Sequence, residues 1–317
     1  MTAKASVSAS VQPKKTGFFK RLRGQKILTA MSLPFGLWML VFNYLPLSGW
    51  LMALKDYKPR VGIFASQWVG AKHFMEFLND RRFYEILRNT FAMSALNILF
   101  GTLCSIGLAI ALSEVRSKAL KRSVQTVSYL PHFISWVVIS NIFYTLLSSE
   151  GLLNDLLLRL GLLGNPVAFM SKDTYFWPIV TVAQVWKEMG WNAILYLAAI
   201  TTIDAQLYEA ATLDGVTRLG KIRYITIPCI MPTIMMLLVL NIGNLLNATG
   251  FDPSFLMGND MTSAYSENLA LYAYRYGLQM NRYSMSTALS MFNSFFSLLL
   301  VWGANRLSRR FVDGGII

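Results

Sequence analysis

Asp204-Ala205-Gln206-Leu207-Tyr208-Glu209-Ala210-Ala211-Thr212-Leu213-Asp214-Gly215 lies between two long apolar runs, and nine residues later comes Ile225-Thr226-Ile227-Pro228. Asp204 is a good N-cap, and Ala205 to Leu213 are mostly strong helix formers. Gly215 can take a positive φ and stop the helix. Thr217 can cap a second short helix reaching about Tyr224, and Pro228 suits the first turn of the next run. The expectation is helix, sharp turn, helix, long apolar helix. Ala210 and Ala211 are small enough for a partner's backbone or aromatic ring to come close. Glu209 and Asp214 offer carboxylates to its Arg or Lys. An ordinary amphipathic interfacial helix fits the same residues.

Outward from that stretch, the chain is a membrane protein by composition. It has 317 residues, 54% hydrophobic and 14% charged; soluble domains carry about 25% charged residues. A helix crosses a bilayer with about 20 mostly apolar residues. Ile27–Leu54, Asn89–Ser113, Ser123–Ser149, Tyr224–Phe251 and Tyr283–Asn305 carry no charge, and Thr174–Ile203 carries only Lys187 and Glu188. The fold class is therefore all-α: a polytopic protein of six transmembrane helices, with the polar platform between the fourth and fifth. The first run exceeds a signal-peptide core, which spans about 7–15 residues, so it reads as retained. Pro34 and Pro46 mark kinks or ends in it. The expected organisation is an N-terminal tail over 1–26, a transmembrane domain over 27–310 and a C-terminal tail over 311–317.

A net charge of +13 reads here as retained cytoplasmic Lys and Arg rather than as a nucleic-acid surface. With both termini inside, the inner segments hold 17 Lys and Arg and the outer loops hold 11. The bias is modest, and it puts the platform on the cytoplasmic side. Cys104, Cys229, His73 and His132 have no ligand spacing, so no metal site or disulfide framework is expected. Gly215-Val216-Thr217-Arg218-Leu219-Gly220-Lys221 imitates the start of a phosphate loop, but Ile222 stands where Ser or Thr would ligate magnesium. No catalytic constellation is visible.

Charged groups inside a bilayer are costly and need a partner or a water-filled cavity. Lys187 and Glu188 therefore either line a route or pair with a neighbouring helix for structure. Asn241, Asn244 and Asn247 recur every three residues and cover an arc of about 120°. Amides both donate and accept, which suits sugar hydroxyls, although hydrogen bonding between helices is the plain alternative. Trp191, Asn192 and Tyr196 are weaker pathway candidates. Tyr272, Tyr274, Arg275 and Tyr276 crowd the last outer loop, either to dock a binding protein or to anchor at the interface.

Glu209-Ala210-Ala211, Gly215, Ile225 and Pro228 resemble the cytoplasmic signature of permease subunits of binding-protein-dependent ABC importers, with Ile227 where Leu is usual. Trp68-Val69-Gly70, Leu87-Arg88-Asn89-Thr90, Leu130-Pro131-His132-Phe133-Ile134-Ser135-Trp136, Trp186-Lys187-Glu188-Met189-Gly190-Trp191 and Ala304-Asn305-Arg306-Leu307-Ser308 resemble the sugar branch of the maltose-permease-like superfamily. Within that branch the likeness is to polysaccharide and oligosaccharide permeases, over about residues 27–310. The resemblance implies a non-catalytic subunit of the bacterial inner membrane, N-in and C-in, with no cofactor of its own. It implies a heterodimer with a second permease and a cytoplasmic ATPase dimer that binds ATP and Mg. A periplasmic or surface binding protein would deliver a glycan, an alginate oligosaccharide being one possibility. Glu209, Ala210, Ala211, Asp214 and Gly215 would then couple ATP-driven motion to alternating access. A stand-alone secondary transporter or channel is the other class, but no inverted repeat or ion-coupling element supports it.

Overall fold

The computed structural model describes residues 25–246 and 250–310. Asn247 and both tails therefore lie outside the described residues. The chain forms two compact units, Met1–Leu51 and Met52–Ile317. The described part of the first is one helical rod. Helix α1, Lys26–Met39, passes through a π-turn at Leu40–Tyr44 into a 3-10 stretch beginning at Leu45. Pro46 has no N–H to give to an α-helical ladder, and the winding changes just before it. No residue of α1 is buried.

The second unit begins with a two-residue antiparallel pair, β1 Lys55–Asp56 and β2 Gln67–Trp68. Helix α2, Lys72–Leu78, follows and sinks Phe77 completely into a core. Two long helices, α3 (Phe83–Glu114) and α7 (Phe176–Thr201), make the most extensive helix pair. Between them in sequence lie α4 (Lys118–Tyr129), α5 (Trp136–Leu147) and α6 (Leu152–Arg159). After α7 come α8 (Ala205–Leu213), α9 (Arg218–Lys221), a π-turn at Ile222–Thr226, and α10 (Ile227–Gly243). Short helices α11 (Phe251–Met257), α12 (Ser263–Ser266) and α13 (Leu269–Tyr272) lead to α14 (Tyr283–Ser308).

Three apolar clusters hold these helices. Ala109 and Leu112 of α3, Ala193 and Leu197 of α7, and Ile230 and Ile234 of α10 fill one at the end of the bundle next to α8. Phe77, Phe83, Leu246, Leu269, Met285 and Leu289 fill a second at the opposite end. Met93, Met170, Phe176, Val180 and Met257 form a third, where the interhelical loops fold over α3 and α7.

Among the described residues, five helical stretches are long and apolar enough to cross a membrane: Lys26–Leu54, Phe83–Glu114, Trp136–Arg159, Arg218–Gly243 and Tyr283–Ser308. Helix α7 has the length, at 26 residues, but Gln184, Lys187, Glu188 and Asn192 leave it outside that set. The expected span Ser123–Ser149 is corrected: it is not one helix. Helix α4 ends at Tyr129, a 3-10 turn occupies Leu130–Phe133, Ile134 is extended, and Ser135 caps α5 by accepting from Val138 N–H. Pro131 lacks the N–H that would continue the ladder. The expected span Tyr224–Phe251 also ends early, at Gly243.

The elbow between α4 and α5 is welded to α7. A Cβ built on Gly190 would lie 2.0 Å from the Ser128 carbonyl oxygen, so only glycine lets the two backbones approach this closely. Lipid tails are as apolar as the side chains, so such close packing, rather than escape from water, favours helix association in a bilayer.

Candidate functional site

The platform forms as its residues dictate. The Asp204 carboxylate accepts from Gln206 N–H at 2.9 Å, and Thr217 Oγ1 accepts from Gly220 N–H at 3.2 Å. Gly215 has a φ of +72°, which needs glycine at the turn. Val216 N–H donates to Ala211 O at 2.9 Å and Gly215 N–H to Thr212 O at 3.2 Å, closing a Schellman turn. Lys221 Nζ donates to Thr212 Oγ1 at 2.6 Å, and the Tyr208 hydroxyl meets Thr226 Oγ1 at 2.9 Å, so the platform is tied to the base of α10.

Glu209, Ala210, Asp214 and Gly215 are exposed, but Ala211 is buried against its own chain. Ala211 therefore serves packing of the turn and does not face a partner, which corrects that part of the sequence reading. What that reading missed is apolar. Leu213 is 89% exposed and Leu219 78%, with Leu207 also exposed. A polar helix carrying bare leucines beside carboxylates is suited to a protein partner.

The second constellation is a partly open, polar-lined cavity of about 140 Å³ between α3, α7 and α10. Gln184, Glu188, Asn192 and Tyr196 line it from α7 at intervals of four residues, one face of a helix. Asn241 and Asn244 line it from α10, and Asn97, Gly101, Thr102 and Ser105 from α3. Sequence reasoning found Glu188, Asn192, Tyr196, Asn241 and Asn244. It missed Gln184 and all of the α3 face, although Asn97, Gly101 and Ser105 recur every four residues within an uncharged run. Both polar atoms of the buried Asn97 side chain and Oγ of Ser105 have no hydrogen-bond partner among the described residues. Each such group costs about 1–3 kcal/mol when left unmet.

Lys187 and Trp191 do not line this cavity. Lys187 is buried, and its ammonium donates to the carbonyls of His132 at 2.6 Å, Ile134 at 2.7 Å and Pro131 at 3.4 Å. These carbonyls belong to the elbow where the helical ladder fails, so Lys187 satisfies the break in α4–α5. Its side chain is directed to the elbow and not into the cavity, which favours the structural alternative of the sequence reading. Trp191 stacks on His132, with ring centroids 4.4 Å apart and planes 4° apart.

The opposite end of the bundle closes around a charged knot. Glu267, 1% exposed, is flanked by Arg82 and by Arg275 at 3.4 Å. Asn89 Nδ2 donates to Glu267 O and Ala264 O, both at 2.9 Å, and Arg88 lies over the rings of Tyr265 and Trp177. Of the four expected docking residues, Tyr272 is buried, and its hydroxyl donates to Asp80 Oδ2 at 2.6 Å. That ring cannot meet a partner, which corrects the expectation for it. Burial, then the hydrogen bond and the charge of Asp80, hold its phenol protonated well above the usual range. Tyr276 packs on Tyr272 with centroids 4.2 Å apart, Tyr274 packs edge-on against Phe251 and Phe255, and Arg275 pairs with Glu267. These three remain partly exposed.

The geometry is matched by known proteins. The family model described as "Binding-protein-dependent transport system inner membrane component" matches residues 98–313. The chain is 40% identical over 297 residues to the polygalacturonan/rhamnogalacturonan transport system permease protein YteP of Bacillus subtilis, covering 93% of this chain and 92% of that one. It is 38% identical over 296 residues to Protein LplB of the same organism, covering 93% and 92%. A chain of the bacterial alginate ABC transporter, solved in complex with an alginate pentasaccharide-bound periplasmic protein, matches with a TM-score of 0.85 and 39% identity, covering 94% of this chain and 99% of that one.

Proposed function

Since this chain belongs to the family of binding-protein-dependent transport system inner membrane components, we propose that it is one permease of a pair in an ABC importer of polysaccharide or oligosaccharide. The transporters named for polygalacturonan, rhamnogalacturonan and alginate support an acidic glycan as cargo. In this reading the chain crosses the inner membrane six times, N-in and C-in, with α7 as the fourth crossing. Its polar face turns to the route instead of to lipid, which accounts for its lower hydropathy. The knotted end faces outward. Tyr274, Arg275 and Tyr276 there receive a glycan-loaded binding protein.

The observation that carries the reading is the platform, with Leu207, Glu209, Ala210 and Leu213 exposed on α8, Asp214 exposed at its end and Leu219 exposed on α9, α8 following α7 directly and being tied to the base of α10. A cytoplasmic ATPase subunit grips this surface, binds ATP and Mg itself, and moves α8. Motion passes through α7 and α10 to the cavity they share with α3, opening it alternately to either side. This chain performs no chemistry. Asn97, Asn192, Asn241 and Asn244 take glycan hydroxyls as they pass.

Glu209→Lys tests the coupling. The variant is expected to insert and pair with its partner permease, yet to lose at least about tenfold of glycan-stimulated ATP hydrolysis, as when an interface charge is reversed. Undiminished stimulation would remove α8 as the coupling element.

A further inference from the structure

Two adjacent residues of α7 carry opposite charges to opposite tasks. An ammonium has three donors, and all three of Lys187 are directed to elbow carbonyls, at 2.6, 2.7 and 3.4 Å. Lys187 thus has no N–H left to hydrogen-bond Glu188, although its charge still pairs with Glu188 Oε1 at 3.8 Å. Glu188 Oε2 instead accepts from His132 Nδ1 at 2.8 Å. Oε1 has no hydrogen-bond donor among the described residues, and the side chain lines the cavity. His132 is fixed in turn by its stack on Trp191. Glu188 is the sole charged side chain lining the cavity among the described residues, and the unpartnered Asn97 and Ser105 lie in the same wall set.

We propose that Glu188 is the specificity-determining charge of the cavity, a fixed anion that takes hydroxyl edges of the passing glycan and repels its carboxylates. His132 is the residue that positions it. The proposal rests on the cavity being the translocation path. A carboxylate oxygen with open lone pairs accepts sugar hydroxyls, and the neighbouring Asn97 amide both donates and accepts. Hydroxyls therefore suit the polar part of this wall. A uronate carboxylate meets a like charge at Glu188 and finds no cation lining the cavity among the described residues; the ammonium of Lys187, directed to the elbow behind Glu188, tempers that charge without presenting itself to the cavity. An acidic glycan would thus pass with its hydroxyl edge toward α7 and its carboxylates turned away.

The test needs no knowledge of the cargo. In the assembled transporter in nanodiscs, with Cys104 and Cys229 replaced by Ala, Gln184→Cys places a thiol one helical turn from Glu188. The probes are a cationic and an anionic methanethiosulfonate of similar size, and the readout is the ratio of their reaction rates. One unit charge at about 6 Å through water favours one reagent and opposes the other. Glu188→Gln is therefore expected to lower the cation-to-anion ratio about tenfold, while Glu188→Asp holds it near the starting value. A ratio unmoved by Glu188→Gln overturns the charge assignment. Failure of both reagents to react in every background overturns the pathway reading instead. For His132, the chain has only 2 histidines, so ¹⁵N spectra are assigned with a His73→Gln variant. Glu188→Gln is expected to shift the His132 Nδ1 resonance, and an unchanged resonance would remove His132 as the positioning residue.

Discussion

Polar groups are buried at both the knotted end and the cavity, but on opposite terms. At the knot the charges are answered inside the chain: Glu267 is ion-paired with two guanidiniums, Asn89 bridges two carbonyls, and Tyr272 donates to Asp80, although Glu267 Oε2 has its guanidinium only as an ion pair and not as a hydrogen-bond donor. In the cavity, Asn97 and Ser105 have no partner among the described residues, and Glu188 keeps one oxygen open. A satisfied cluster fixes geometry. An unsatisfied one, held open by neighbouring helices, is stability forgone, and under the proposed function it is forgone for the cargo. The same contrast divides Lys187 from Glu188: neighbours in sequence, one completes the elbow and the other faces the cavity.

The comparison can be broken at the knot first, where the largest effect is expected. Glu267→Gln leaves Arg82 and Arg275 without their shared counter-charge. Removing one member of a buried ion pair costs about 3–5 kcal/mol, and because both arginines are about two-fifths exposed the lower end is expected. Thermal unfolding in nanodiscs would measure it, and an unchanged melting temperature would mean that the knot holds nothing. A smaller effect belongs to Tyr272. Tyr272→Phe removes one hydrogen bond, worth about 1 kcal/mol. The phenol's pKa is raised in the folded chain, so its contribution is fully present below the unfolded value of about 10 and is lost as pH rises beyond that. Melting temperature is expected to fall as pH rises above about 10 in the unsubstituted chain, and to fall less in Tyr272→Phe. Equal slopes would count against a buried, donating hydroxyl.

Much of this was legible in sequence, for physical reasons. The platform is written in local rules, with a cap at Asp204, a positive φ at Gly215, a second cap at Thr217 and a proline at 228, and each formed where those rules put it. Long uncharged runs announced membrane helices, but not where a run breaks. Ser123–Ser149 carries no charge, yet Pro131 and the carbonyl-seeking ammonium of Lys187, over fifty residues away in the chain, split it. The same distance hid the role of Lys187, since its partners are backbone carbonyls that leave no mark in composition. Half of the cavity was read from its amides. The α3 wall was missed because Asn97, Thr102 and Ser105 are few among apolar neighbours, and only pairing with α7 makes them a surface. Glu267 carries no local signal of burial, because its partners Arg82 and Arg275 reach it only through the fold.

Asn97→Leu tests whether the cavity's unmet groups are kept for cargo. It removes an amide with no internal partner, so stability is expected to hold or rise by up to about 1 kcal/mol. In the same preparation, oligosaccharide uptake by the assembled transporter is expected to fall at least about fivefold, as when a hydroxyl contact of about 1 kcal/mol is lost. A variant that melts earlier but transports normally would contradict the account, because Asn97 would then belong to the scaffold, as Glu267 does.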